Sequence, residues 1–265
     1  MGRSFHRTLK SALWIYLVLS ALVLCVYKFR IIHLTQHSFL IFVNANMLLS
    51  SALAIGCVAV VIRRLKFEGP EKEFWNILLV ALCFLCGAEL AAAVEEVVDA
   101  AAELYLPLSS FIGMLARLAL IYLSMRVIVS SEVSTWIGWL QALLPWIFII
   151  SFSAFVLYYV VVPMHKQPEF GDEIGSIFMV FAGLIVVIFM TAALAGRRMG
   201  DPNKTLAYFW PLAGMVGYMV TDVMYYCHVA MHISSFVLWE LGFVAGYVFT
   251  AYGALLMLDD ERTTI

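Results

Sequence analysis

Four residues of this sequence could do chemistry in a setting where chemistry is costly. Glu89, Arg117, Asp222 and Glu240 each interrupt a long run of apolar side chains. An aspartate at the centre of a membrane helix costs about 2.5–3.5 kcal/mol on insertion scales, so such a residue needs a partner or a purpose. The densest stretch is Tyr218 to Tyr247, which reads as the end of one apolar helix, a short turn and the start of the next. It carries Asp222, His228, His232 and Glu240, with Tyr218, Tyr225, Tyr226 and Trp239 nearby. Three acids against one arginine leave at least one carboxyl without a cationic partner, and that carboxyl is expected to hold its proton. One reading is a buried polar site made of Glu89, Arg117, Asp222, Tyr225 and Glu240, open to the outer face and serving as an ion relay or a ligand pocket. The other is structural: Arg117 locks helices together through Glu89 or Asp222, and Glu240 reaches for the interface.

Histidines supply a second candidate. HxxxH occurs at His33–His37 and again at His228–His232. On a helix, positions i and i+4 share a face, which suits two imidazoles on one metal ion. With Asp222, or with Glu95, Glu96 and Asp99, these pairs could form an outer-face site for a transition metal such as zinc, copper or iron. Both pairs fall at helix–turn boundaries, where interfacial histidine is common. Cys83 and Cys86 have CxxC spacing, yet no second pair accompanies them and buried cysteine is ordinary in apolar runs. There is no GxSxG, no P-loop, no Rossmann fingerprint and no HExxH, and helix eight carries no lysine for a Schiff base. Glu95-Glu96 lacks the arginine expected four residues later in paired-Glu membrane proteases, since Ala100 stands there. An enzyme is therefore not the favoured reading.

The elements that must position these residues are membrane helices. The chain is 64% hydrophobic and 13% charged, with a mean hydropathy of +0.96. Soluble domains run nearer 45–50% apolar and about 25% charged. A net charge of −2 gives no reason to expect nucleic acid. Each span needs about 20 apolar residues. Eight are expected, at 9–29, 39–62, 74–95, 106–128, 136–162, 174–195, 205–226 and 235–258. Pro145 and Pro211 fall inside helices and predict kinks. The first run is long for a signal peptide and no cleavage site follows it, so it is read as a retained helix. The expected fold is an all-α polytopic membrane protein, one integral domain over 1–265.

Orientation follows from the basic residues. With the N-terminus in the cytoplasm, twelve lysines and arginines fall inside, among them Arg63, Arg64, Lys72, Arg126, Arg197 and Arg198. Only Lys28, Arg30 and Lys166 fall outside. That bias places both termini in the cytoplasm. It puts Glu89 and Asp222 in the outer part of the bilayer, Arg117 near the middle and Glu240 close to the outer edge.

The two halves echo each other. Arg63-Arg64, Lys72, Phe74-Trp75 and Glu89 run parallel to Arg197-Arg198, Lys204, Phe209-Trp210 and Asp222. Ser109-Ser110-Phe111 and Tyr122 then match Ser234-Ser235-Phe236 and Tyr247. This gives a candidate pair of parallel four-helix repeats, 9–128 and 136–258. Small residues are dense in helix three (Gly87, Ala88, Ala91 to Ala93) and in helix eight (Gly242, Gly246, Gly253), which allows close helix approach, with packing inside the bundle favoured over an oligomer interface.

Tyr208 to Leu256 resembles the last two helices of the multi-helix membrane sensor regions found at the N-terminus of prokaryotic histidine kinases and diguanylate cyclases. The features that carry the likeness are Trp210, Gly214, Asp222 with Tyr225, Trp239-Glu-Leu-Gly242 and Gly246-Tyr247. Glu89 to Gly113 looks like the equivalent pair in the first half. The resemblance implies a non-catalytic sensor or receptor in the cell membrane. It also implies an output partner, because the sequence ends at Leu258-Asp-Asp-Glu-Arg-Thr-Thr-Ile265 with no kinase or cyclase domain. The expected function is thus a sensor, or the accessory subunit of a membrane complex, with the lipid bilayer and a protein as partners. A transporter coupled to ions or protons and a membrane metalloenzyme using the HxxxH pairs are the alternatives.

Overall fold

A computed structural model describes residues 3–28, 36–65, 67–98, 108–130, 183, 185–187, 205–230 and 239–260. Every regular element among them is helical: α1 (Arg3–Lys28), α2 (Gln36–Arg64), α3 (Gly69–Val98), α4 (Leu108–Ser130), α5 (Thr205–Ala230) and α6 (Trp239–Asp260). Residues 183 and 185–187 are helical too. The expected span 136–162, and most of 174–195, lie outside the described residues. Helices cover most of the other six expected ranges, and five of the six end two to four residues beyond the expected limit. Hydropathy falls where charges begin, but backbone hydrogen bonding continues past that point; Arg63 and Arg64 still belong to the last turn of α2.

Among the described residues, four helical stretches are long and apolar enough to cross a membrane: Thr8–Val26, Ile41–Arg64, Glu71–Glu95 and Trp239–Asp259. α1 shows why such a surface suits hydrocarbon. Ile15, Val18, Leu19 and Leu22 are all more than half exposed along it. α6 is the opposite case, with 67% of its apolar window buried inside the bundle. It packs against α5, α2 and α1. The other close pairs are α3 with α4 and α2 with α3.

Glycine lets α5 and α6 approach closely. A Cβ at Gly246 would lie 2.9 Å from the Gly214 carbonyl oxygen, and one at Gly214 would lie 2.6 Å from that of Gly246. One at Gly242 would meet Thr221 Oγ1 at 2.2 Å. Gly253 receives the ring of Pro211, whose Cδ would be 2.2 Å from an added Cβ. Pro211 is therefore built into the seam of α5, facing a residue with no side chain to obstruct it. The glycines of α6 do serve packing inside the bundle, as their density in the sequence suggested.

The ends of the helices sort into two layers. At one end, Lys10 of α1 pairs with Asp259 of α6, and Arg126 of α4 pairs with Glu73 of α3. The α2–α3 turn closes here, with Gly69 in the left-handed region at φ 56° ahead of Pro70. Phe67 stacks on Trp75 at 6.2 Å, and Trp75 packs against Tyr208 of α5 at 5.8 Å. Further along, the single Tyr16 hydroxyl proton is shared between the Asn46 backbone carbonyl, at 2.9 Å, and the Asn46 side-chain oxygen, tying α1 to α2. Ser20 also donates to Asn46 Oδ1, at 3.2 Å. The other end of the bundle holds the start of α4 and of α6 and the end of α3 and of α5.

Filling the α5–α6 seam should disrupt it. Gly246→Val is expected to cost about 1–3 kcal/mol through overpacking, read as a lowered Tm in detergent. Gly217→Val meets nothing within 4 Å and should leave the Tm within a degree or two of the parent.

Candidate functional site

The second end of the bundle contains a cavity of about 290 Å³. Glu89, Arg117, Asp222, Tyr225 and Glu240 all line it. These five residues come from four helices, and each reaches the wall through helical register. On α5, Tyr218, Asp222 and Tyr225 follow one another at i, i+4 and i+7, so all three present to one side. On α4, Ser109, Gly113 and Arg117 recur every four residues. On α3, Ala88, Glu89 and Ala92 do the same job, and the small residues on this face leave room for the void. α6 contributes Trp239, Glu240 and Phe243 from its first turns.

The charges on this wall are partly answered by one another. Arg117 pairs with Asp222, so the arginine bonds across from α4 to α5. Both residues are buried, at 3% and 8% exposure. Of the two partners open to Arg117 in the sequence, Asp222 is the one it engages. Glu89 is met instead by two phenols. Tyr218 donates to its Oε1 at 2.7 Å and Tyr247 donates to the same oxygen at 3.4 Å. The two rings pack edge to face, 5.2 Å apart, which fixes both hydroxyls on one carboxyl oxygen. Glu240 lines the cavity from the first turn of α6, where the helix N-terminus favours a carboxylate. Its Oε2 is buried with no hydrogen-bond partner among the described residues.

Two contributions were not legible beforehand. Tyr247 stood in the sequence as the repeat partner of Tyr122, with no link to Glu89. The structure buries Tyr247 completely and leaves Tyr122 54% exposed. The α2 wall, formed by Val43, Asn44 and Met47, was missed altogether. Its signal was Asn44, which with Asn46 interrupts the apolar run from Phe39 to Leu49.

The metal candidates are not assembled in the described part. His33 and His232 lie outside the described residues. His37 sits in the first turn of α2 and His228 near the end of α5. No group of three His, Cys, Asp or Glu able to hold a metal occurs among the described residues. Two of the acids assigned to that site, Asp222 and Glu95, have other partners. Asp222 holds Arg117, and Glu95 caps the start of α4 by accepting from the Ser109 amide at 3.1 Å and the Ser109 hydroxyl at 2.6 Å. Asp99 lies outside the described residues. Cys83 is exposed and Cys86 half-buried on α3, and both are free thiols.

The chain matches no protein-family model, no curated protein and no solved structure.

Breaking the buried pair on one side should be worse than removing it whole. Arg117→Leu leaves Asp222 buried without its cation and is expected to cost about 3–5 kcal/mol, whereas an apolar replacement of both partners recovers much of that. Thermal unfolding of Arg117→Leu, Asp222→Leu and the double variant tests this. Single variants as stable as the double one would mean that the two charges are not coupled.

Proposed function

We propose that this chain is a non-catalytic, multi-pass membrane protein of the sensor or receptor type, or the accessory subunit of a membrane complex, and that it binds its ligand in the Glu89/Arg117/Asp222/Glu240 cavity. The observation that carries this reading is convergence. Five residues picked out in the sequence as costly or polar meet on one void, from four different helices. Charges gathered for packing alone have no need of an open space between them, and a cavity with a few convergent polar groups on an apolar wall is the usual form of a small-molecule site. The proposed topology has eight spans in one domain, both termini cytoplasmic, and the cavity opening outward. The positive-inside bias supports the orientation. The α3–α4 and α5–α6 hairpins, which pack so extensively within themselves, are the proposed equivalent pairs of two parallel repeats. The likeness of Tyr208 to Leu256 to prokaryotic sensor regions supports a signalling role exerted through a protein partner.

A second reading, a transporter coupled to ions or protons, draws on the same wall. Glu89 with its two tyrosines beside the Arg117–Asp222 pair is a chain of exchangeable groups of the kind that relays use. A metalloenzyme built on His33, His37, His228 and His232 is a weaker alternative, because Asp222 and Glu95 are engaged elsewhere.

Gentle extraction into native-lipid discs separates these readings. The sensor or subunit reading predicts a stoichiometric protein partner, no bound transition metal by elemental analysis and no ion flux after reconstitution. Flux abolished by Asp222→Asn would establish the transporter. A full equivalent of metal, lost on changing His228 and His232 to alanine, would establish the metalloenzyme.

A further inference from the structure

The cavity has an imbalance that identifies what it is suited to hold. Its wall carries three carboxyl groups, Glu89, Asp222 and Glu240, and one basic residue, Arg117. Arg117 is committed to Asp222. Among the described residues the wall thus carries two carboxyl groups in excess of its basic residues. At Glu89 both phenol hydroxyls converge on Oε1. At Glu240 the buried Oε2 lacks a hydrogen-bond partner among the described residues. A buried acceptor left unmatched costs about 1–3 kcal/mol, more when it is charged. A bound ligand that supplied a positive charge would offset that cost, through an N–H donor where it is a protonated amine and through charge alone where it is a quaternary ammonium.

The remainder of the wall decides which kind of cation. Val43, Met47, Leu85 and Phe243 are apolar, and Trp239 and Tyr225 present aromatic rings beside Glu240 and Asp222. A metal ion needs several oxygen or nitrogen ligands at short range. No cluster of three such side chains occurs among the described residues. An organic ammonium makes weaker geometric demands. It is satisfied by carboxylates at a few ångströms and by the faces of tryptophan and tyrosine, while its carbon skeleton takes the apolar wall. The volume, about 290 Å³, lies at the lower end of the range for small-molecule pockets, so the ligand is small.

We propose that the cavity binds a small lipophilic organic cation, a protonated amine or quaternary ammonium, whose charged head lies between Glu240 and Glu89 against Trp239 and Tyr225. This rests on the reading of the cavity as a ligand site and adds the charge and class of the ligand.

Three probes of one shape test this on the full chain in lipid discs: benzyltrimethylammonium, its neutral carbon isostere 2,2-dimethylpropylbenzene, and the anion benzylsulfonate. Binding of radiolabelled benzyltrimethylammonium is measured by equilibrium dialysis, with empty discs as the blank and the other two as competitors. The expected result is saturable binding of one cation per chain, with both competitors weaker by about tenfold or more, the factor that one charged contact supplies. Glu240→Gln should weaken the cation about tenfold and Trp239→Leu several-fold, with unchanged gel-filtration profiles. Equal competition by the neutral isostere or by benzylsulfonate would overturn the cationic assignment and leave a ligand cavity standing. Saturable binding of none of the three would overturn both. Should Glu240→Gln not fold, the ranking of the three probes on the parent protein still decides.

Discussion

The ion pair between Arg117 and Asp222 is the constraint on which the rest of the described structure depends. In a bilayer neither charge could stand alone, because no water is at hand to solvate it. Each therefore dictates where the other's helix must lie. Arg117 is on α4, in the first hairpin, and Asp222 is on α5, in the second. Their bond draws the two hairpins together at one level, and it brings Glu89, one helix further, within reach of Tyr218 and Tyr247. A pair of this kind contributes little net stability compared with a well-packed apolar replacement, since desolvation offsets most of the attraction. What it contributes is register: a slip of either helix by one residue would leave two charges unmatched.

Register at this level has to be matched by packing along the rest of the helices. α6 supplies that. It is the most buried of the four membrane-length helices, and its glycines at 242, 246 and 253 let α5 lie directly against its backbone. The same face then turns Tyr247 toward Glu89 and sets Glu240 on the cavity wall. At the other end, Lys10 with Asp259 and Arg126 with Glu73 close the bundle in a more exposed layer, where ion pairs are weak and exchange with water. The two ends thus differ in chemistry. One is a clasp of surface charges. The other is a void walled by Glu89, Asp222 and Glu240 together with Arg117.

Much of this was legible because a membrane penalises exceptions. Glu89, Arg117, Asp222 and Glu240 were conspicuous in the sequence, since each breaks an apolar run for which hydrocarbon is the expected solvent. Helix positions were legible for the same reason, and the glycines of α6 pointed correctly to close packing. Pairing was not legible. Nothing in the chain order distinguishes Glu89 from Asp222 as the partner of Arg117, because that choice depends on how α4 and α5 rotate about their axes. Tyr122 and Tyr247 looked alike in sequence, yet only the latter turns inward. The α2 contribution was hidden because Val43 and Met47 are as apolar as a lipid-facing pair would be. Glu95 was misleading in a different way. As an outer-face acid it suggested a metal site, but its geometry is that of a cap on the start of α4.

The central proposal is that the polar void within the helices opens to the outer side of the membrane, and cysteine accessibility tests it most directly. In a chain with the five native cysteines replaced, Ala92→Cys lies on the cavity wall and Leu90→Cys, at a site 54% exposed, lies on the outer, apolar surface of the same helix. A charged, membrane-impermeant thiol reagent is added to intact cells and then to inside-out vesicles. The account predicts that Ala92→Cys is modified from the outer side and Leu90→Cys from neither. Modification of Ala92→Cys from the inner side alone, or no difference between the two positions, would contradict it.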